Sequence, residues 1–226
     1  MTKKAIFTSN LLAILPFIWN VFHGYHCNAF SSSSSPIPPP PALSVPVWSL
    51  AVTNENSTIT NMNIMTYCMP VSIEPPKLWA LSLYKGTLTK DWLLSSETND
   101  NTKTAILQLL TQDQHCLVKI LGKQSGNDIN KADICSKHGW EWVNESKCQR
   151  ILPKCALYLK LQVEQSSVMD AGDHVVVLCK VIETGKWNND QKELEWRREG
   201  NLEMNAIDGI SDNAMYSGWL RNEGIL

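Results

Sequence analysis

Residues 60–90 read TNMNIMTYCMPVSIEPPKLWALSLYKGTLTK. Polar Asn61 and Asn63 interleave with Met62, Ile64 and Met65, the period-two pattern of a strand with two unlike faces. The chain corners at Pro75-Pro76 and resumes alternation over residues 78–83. Lys85, Gly86, Thr87 and Thr89 follow at once. A cationic amine, a glycine that lets backbone N–H groups come close and two hydroxyls are the donor set a phosphomonoester needs. On the residues alone a Met/Ile/Tyr strand is also ordinary core, and Lys85–Thr89 is also a solvated turn with Thr87 capping a helix. A helix cap and an anion site can be one structure.

Outward from this stretch, residues 45–53 read as a strand, and the turn Asn54-Glu55-Asn56-Ser57 joins it to a second strand over 58–68, a hairpin. Leu88–Leu94 and residues 104–110 carry apolar side chains at helical spacing, and 129–138 reads as a helix or irregular segment. His115 is expected to be structural, packing near the helix it follows. Residues 156–163 alternate cleanly, and Ala171-Gly172-Asp173 turns into 175–182, a second hairpin long enough for a barrel wall. Residues 183–213 are charged and Gly/Asn-rich and read as a long excursion. Strands at both ends with helices between them argue an α+β architecture built on a closed or partly closed antiparallel barrel.

At 226 residues and a formal net charge of −2 the chain has room for one domain plus extensions, and neither nucleic acid nor an acidic substrate is implied. Charge is uneven: the first acid is Glu55. Lys3 and Lys4 precede an apolar stretch over residues 5–22, interrupted by Thr8, Ser9, Asn10 and Pro16, the pattern of a signal peptide too broken for a membrane span. Five serines and a proline run follow Ala29-Phe30, too polar to collapse into a core. Residues 1–42 are therefore expected to be a targeting presequence and 43–226 the folded domain, with no stable membrane span in the mature chain. The presequence resembles the bipartite plastid type of algae with secondary plastids; secretion or an endomembrane destination is the alternative. The seven cysteines are an odd count without small-domain spacing, which fits free thiols better than a disulfide framework. Cys135, His138, Cys148 and Cys155 share one stretch, yet their intervals match no standard zinc pair, and no metal is assigned.

The quoted stretch resembles the entry segment of the flavin reductase-like family, the FMN-binding split β-barrels. The resemblance extends to His115-Cys116-Leu117-Val118, to Leu121-Gly122-Lys123-Gln124-Ser125-Gly126 with Asp128 and Lys131, to Gly172-Asp173-His174, and to the ending Met215-Tyr216-Ser217-Gly218-Trp219-Leu220-Arg221. It covers roughly residues 45–185 and the last dozen, and departs at Cys179, where the family usually has glycine. It implies an antiparallel split β-barrel of Greek-key type with short flanking helices, dimeric, with flavin at the subunit interface and Trp219 and Leu220 as candidate interface anchors. Asn61, Asn63 and Thr66 would offer donors to the flavin ring, Met62, Met65, Tyr67 and Cys68 its apolar floor, and Lys85, Thr87 and Thr89 the phosphate contacts. His174 would approach the nicotinamide or the ring edge as the candidate catalytic group. The implied function is an NAD(P)H:flavin oxidoreductase using FMN, or FAD; the alternative is an FMN-binding split barrel without reductase activity that serves as an electron-transfer or scaffold partner. No GxGxxG loop is present, which argues against a Rossmann-type NAD domain but not against this family, whose members stack the nicotinamide on flavin.

Overall fold

A computed structural model describes residues 43–54, 59–95, 103–146, 149–164, 167–198 and 213–226. The expected presequence and Cys148 lie outside the described residues. The elements in chain order are strands β1 (Trp48–Thr53), β2 (Thr60–Met65), β3 (Cys68–Pro70) and β4 (Leu78–Tyr84), helix α1 (Leu88–Leu94), β5 (Thr104–Leu109), helices α2 (Leu117–Lys123) and α3 (Lys131–Lys137), strands β6 (Val143–Asn144), β7 (Arg150–Ile151), β8 (Leu157–Val163), β9 (Met169–Ala171), β10 (His174–Asn188) and β11 (Glu193–Arg198), and helix α4 (Ser217–Asn222). The main sheet is antiparallel and runs β2-β1-β5-β8-β10-β4-β3, with β9 and β11 also paired to β10.

Its two outermost strands are consecutive in the chain, with only Thr66 and Tyr67 between them. A flat sheet of this order would hold β2 and β3 roughly 29 Å apart at about 4.8 Å per strand gap. The chain from Met65 to Cys68 reaches about 11 Å at full stretch. The sheet therefore curls until its edges nearly meet, and Thr66-Tyr67 crosses the seam. The result is the antiparallel half-barrel of a split barrel, α+β with short flanking helices.

Alternation sorts side chains to two faces. Leu50, Leu107, Leu161, Val177 and Leu81 point into the curl, and Leu93 of α1 plugs it. Ala51, Ile106, Tyr158 and Met62 point outward, under Leu121 and Val118 of α2, Cys135 of α3 and Leu220 of α4. Thr87 caps α1, its hydroxyl accepting from Lys90 N–H at 3.3 Å.

Four expectations need correction. Residues 104–110 form no helix: β5 is a central strand buried on both faces, so its sequence shows no alternation and mimics a helical run. His115 caps the short 3-10 helix Gln112–Gln114 that follows β5; it is exposed, with Nδ1 3.0 Å from the Gln112 carbonyl and its ring edge-on to Trp219. Residues 58–68 are not one strand, because the seam divides them between β2 and β3. The expected excursion is in part a hairpin: β10 runs on to Asn188 and pairs with β11, while residues 199–212 lie outside the described set. Trp196 of β11 lies over Gly185, where a Cβ would stand 2.9 Å from its ring, and donates its indole N–H to Glu145 at 3.0 Å. Leu220 is fully buried in the outer cluster of its own chain and so is not a free interface anchor, while Trp219 is half-buried against the same cluster.

Leu93 is fully buried in the curl. Leu93→Ala is expected to lower stability by about 2–5 kcal/mol in urea melts, and a loss under 1 kcal/mol would show that α1 does not plug the half-barrel.

Candidate functional site

The seam opens onto a cavity of about 400 Å³. It is lined by Asn61, Asn63, Ile64 and Met65 of β2, Thr66 and Tyr67 of the crossing, Ser82 and Tyr84 of β4, Gly86–Thr89, and the stretch from Leu121 in α2 to Gly126, with Lys131 and His174 completing it. Of the residues expected from sequence, Asn61, Asn63, Met65, Thr66, Tyr67, Thr87, Thr89 and His174 come together here. Met62, Cys68 and Lys85 are not among the lining residues. Met62 is fully buried on the α2 side, its sulfur 3.6 Å from Gln108 Nε2. Cys68 packs with the curl interior, and burial pushes its thiol up to about 12. Lys85 pairs with Asp170 at 2.6 Å on the surface, and its ammonium holds that carboxyl below its ordinary range.

Asn61 does not face the cavity as a free donor. Its side-chain N–H donates to Thr89 Oγ1 at 2.8 Å, joining β2 to the start of α1. Gly126 lies against the same amide: a Cβ there would stand 2.4 Å from Asn61 Oδ1. The α2–α3 loop, β2 and α1 thus meet at one buried amide.

Asn63 differs. Its Oδ1 is buried on the cavity wall with no partner among the described residues. Buried acceptors in folded proteins are rarely left so, and the position suits a ligand N–H.

Lys131 is 5% exposed and donates to the carbonyls of Met62 at 2.9 Å and Leu121 at 2.8 Å. β2 is an edge strand and Leu121 sits in the last turn of α2, so both carbonyls lack a ladder partner on that side and the ammonium supplies one. Burial lowers its pKa to about 8, against a smaller opposing effect of Cys135.

At the mouth, His174 Nδ1 lies 2.7 Å from Asp173 Oδ1, and that contact draws the carboxyl below its ordinary range. The imidazole stands edge-on to Tyr67 and Tyr84, ring centres 5.8 and 5.5 Å away, which fixes its plane and leaves Nε2 for a ligand. Residues the sequence reading gave no role are Ser82 and Tyr84, Lys123 at the end of α2, Ser125 of the loop after it, and Lys131. The signal for the last three was the motif run 121–131, which carried a resemblance but no chemistry until folding brought it opposite β2.

The Flavin reductase like domain family matches residues 44–202, and the chain belongs to that family. Among curated proteins none matches this sequence. Among solved structures, the fold is similar to the NADH:FAD oxidoreductase of Streptomyces globisporus, at 16% identity over 71% of this chain and 88% of that one with a TM-score of 0.51. It is similar to the FMN-binding protein of Thermus thermophilus, at 17% identity over 74% and 89% with a TM-score of 0.52. Flavoredoxin of Methanosarcina acetivorans is a third, at 12% identity over 70% and 87% with a TM-score of 0.51. At these identities the likeness is one of fold.

Lys131→Met leaves two carbonyls unpaired and is expected to cost about 2–4 kcal/mol in denaturant titration. Between pH 8 and 10.5 the unfolded chain holds more protons on Lys131 than the folded one, so its contribution makes stability rise with pH across that window. Wild type minus variant, followed from pH 7 to 10, should show that rise; a flat difference would mean the ammonium is not penalised by burial.

Proposed function

We propose that this chain is an NAD(P)H:flavin oxidoreductase that holds FMN or FAD in the seam cavity. The observation that carries the reading is Asn63 Oδ1, a buried acceptor with no partner among the described residues, on the wall of a cavity sized for a small ligand. The flavin imide N–H is a donor of the kind it lacks, and Ile64, Met65 and Tyr67 supply apolar surface beside it. Bound there, the flavin takes hydride directly from the nicotinamide, so the protein need supply little acid–base chemistry. Asn63 orients the ring, the Asn61–Thr89 bond and Gly126 fix the wall behind it, and Tyr67, Tyr84 and His174 border the open face where a nicotinamide stacks. His174 positions that ring through Nε2 and is the candidate catalytic group.

The phosphate belongs at the end where Gly86, Thr87 and Thr89 face Lys123 and Ser125. Thr89 is buried and spent on Asn61, and Lys85 reaches this end only by giving up Asp170. Lys123 is therefore the first candidate cation and Lys85 the second. A charged hydrogen bond is worth roughly 1.5–3 kcal/mol, so Lys123→Ala should weaken FMN about ten- to a hundredfold and spare riboflavin, which lacks the phosphate. Lys85→Ala should change FMN affinity less than threefold. A selective FMN loss in Lys85→Ala instead assigns the phosphate to Lys85. Equal losses for both ligands mean neither lysine touches it. Anaerobic bleaching by NADPH or NADH separates the reductase from a flavoprotein that only carries electrons or acts as a scaffold.

The reading extends to a homodimer. Register places Met69, Ala80 and Leu178 in one row across the sheet, and Ser82, Val176 and Met169 in the next on the same face. Ser82 lines the cavity, so this face borders it, and Tyr67, Met69, Tyr84 and Met169 are exposed there. A second copy would cover that apolar surface and shield the flavin. Residues 1–42 are proposed as a plastid-targeting presequence ahead of the folded domain. Leu43 and Ser44 must then remain in the mature chain, because Arg221 and Ser217 donate to the Leu43 carbonyl at 2.9 and 3.2 Å and Gly218 N–H donates to Ser44. A chain starting at residue 43 is expected to melt and bind flavin like the full one, and one starting at Pro46 to melt several degrees lower. Equal melting of the two shorter chains would remove the anchoring role.

A further inference from the structure

A buried ammonium without a counter-ion stands in the lining of the seam cavity. Lys131 gives its two hydrogen bonds, at 2.9 and 2.8 Å, to the neutral carbonyls of Met62 and Leu121. It has no ion pair among the described residues, and no Asp or Glu is among those that line the cavity. Cys135, one turn along α3, is not a counter-ion either, because burial raises its thiol above the ordinary range and keeps it protonated. Burial brings Lys131 down only to about 8, so at pH 7 it carries its charge. The two carbonyls satisfy the donors and leave that net charge in place. Holding a charge out of water is costly until an anion meets it.

The charge lies one peptide unit from Asn63. The Met62 carbonyl that Lys131 holds belongs to the peptide whose nitrogen is that of Asn63, the residue with the unpartnered acceptor. A flavin imide held on Asn63 brings the pyrimidine end of the ring to this wall, and that end also carries N1 and the C2 oxygen. Hydride transfer moves two electrons and one proton from the nicotinamide to flavin N5. The nicotinamide leaves oxidised, and the reduced ring keeps one negative charge shared by N1 and the C2 oxygen.

We propose that the Lys131 ammonium, acting through the cavity wall, is the counter-charge for the reduced, anionic flavin, so that the protein binds the reduced ring more tightly than the oxidised one and raises its midpoint potential. The proposal rests on the flavin reading of the cavity. The hydrogen bonds of Lys131 hold β2 to α2, while its field falls on the ring and needs no contact. A buried charge with no carboxylate beside it is screened little. Lys123, the other lysine of the lining, is exposed, and solvent screens it more.

The test titrates oxidised FMN and FAD, and the same flavins reduced with dithionite under argon, into the full chain at pH 7, for wild type and Lys131→Gln. Wild type is expected to bind reduced flavin about tenfold or more tighter than oxidised flavin, which sets the bound midpoint potential about 30 mV or more above that of the free flavin. Lys131→Gln keeps an N–H donor and loses the charge, and it is expected to lose this margin. A lysine that only braced the strand would, on removal, weaken both forms alike and leave their ratio as it was. Sulfite reads the same field without a substitution: its sulfur bonds to flavin N5 with its own electron pair, which puts a negative charge on the pyrimidine end and bleaches the ring. Flavin bound to wild type should bleach at sulfite concentrations about tenfold or more below those that bleach free flavin. The proposal is overturned if wild type binds the two redox forms within threefold of each other, or if Lys131→Gln keeps the margin. Should Lys131→Gln fail to fold, sulfite decides, and bleaching no easier than that of free flavin overturns the proposal. Wild type that binds neither flavin in either form overturns the flavin reading itself.

Discussion

The structure depends on a connection of two residues. Thr66 and Tyr67 join strands that stand at opposite ends of a seven-strand path, and no flat or gently twisted sheet satisfies that chain length. Curling is the only solution, and it creates both the interior that Leu50, Leu81, Leu107 and Leu161 fill and the notch where the edges approach without pairing. Edge strands expose unpaired backbone groups. Here the groups of β2 are met from outside by Lys131, which reaches the Met62 carbonyl, while the notch itself becomes the cavity. Core and site are consequences of one closure constraint.

The same constraint explains why the cavity wall is tied so closely to the helices. An edge strand with one neighbour would be free to fray, and β2 is instead pinned three ways: Asn61 to Thr89 of α1, Lys131 of α3 to Met62, and Ile64 against Gly122 of α2, where a Cβ would come within 3.3 Å. The first pin uses two side chains, Asn61 and Thr89, that the sequence reading associates with ligand contact. Asn61 and Thr89 line the cavity, yet their hydrogen-bonding capacity goes largely to each other. Asn63, two positions on and therefore on the same face, is the amide left with an acceptor to offer.

Much of the fold was legible because alternation is a local signal. The hairpin of β1 and β2, the strand β4, the helix α1 and the pairing of β8 with β10 follow from period and turn chemistry over a few residues. β5 was not legible, since a strand buried on both faces has no polar phase to read. The break in residues 58–68 was not legible either: its cause is the closure of the whole sheet, and nothing in Thr66-Tyr67 is a strong turn signal. β11 escaped because its burial depends on a single neighbour, Gly185 opposite Trp196, which looks like loop composition until the register is known.

The site divides along the same line. Residues of the opening stretch converge because they lie on adjoining strands and one turn, and sequence proximity stood in for spatial proximity. Lys85 stands apart from that lining, an exposed ammonium in a tight turn paired with the carboxylate its own sheet brings alongside: β9 pairs with β10 next to β4, which sets Asp170 within 2.6 Å. The cations that do line the cavity, Lys123 and Lys131, come from a segment joined to β2 only through the fold. The two are not interchangeable. Lys131 is buried, holds two carbonyls and is depressed toward pH 8, so its charge is costly and committed to structure. Lys123 is exposed at the C-terminal end of α2, two residues before Ser125. An anion that enters and leaves with each binding event is better met by the second kind of lysine, whose charge is already solvated and costs little to redirect.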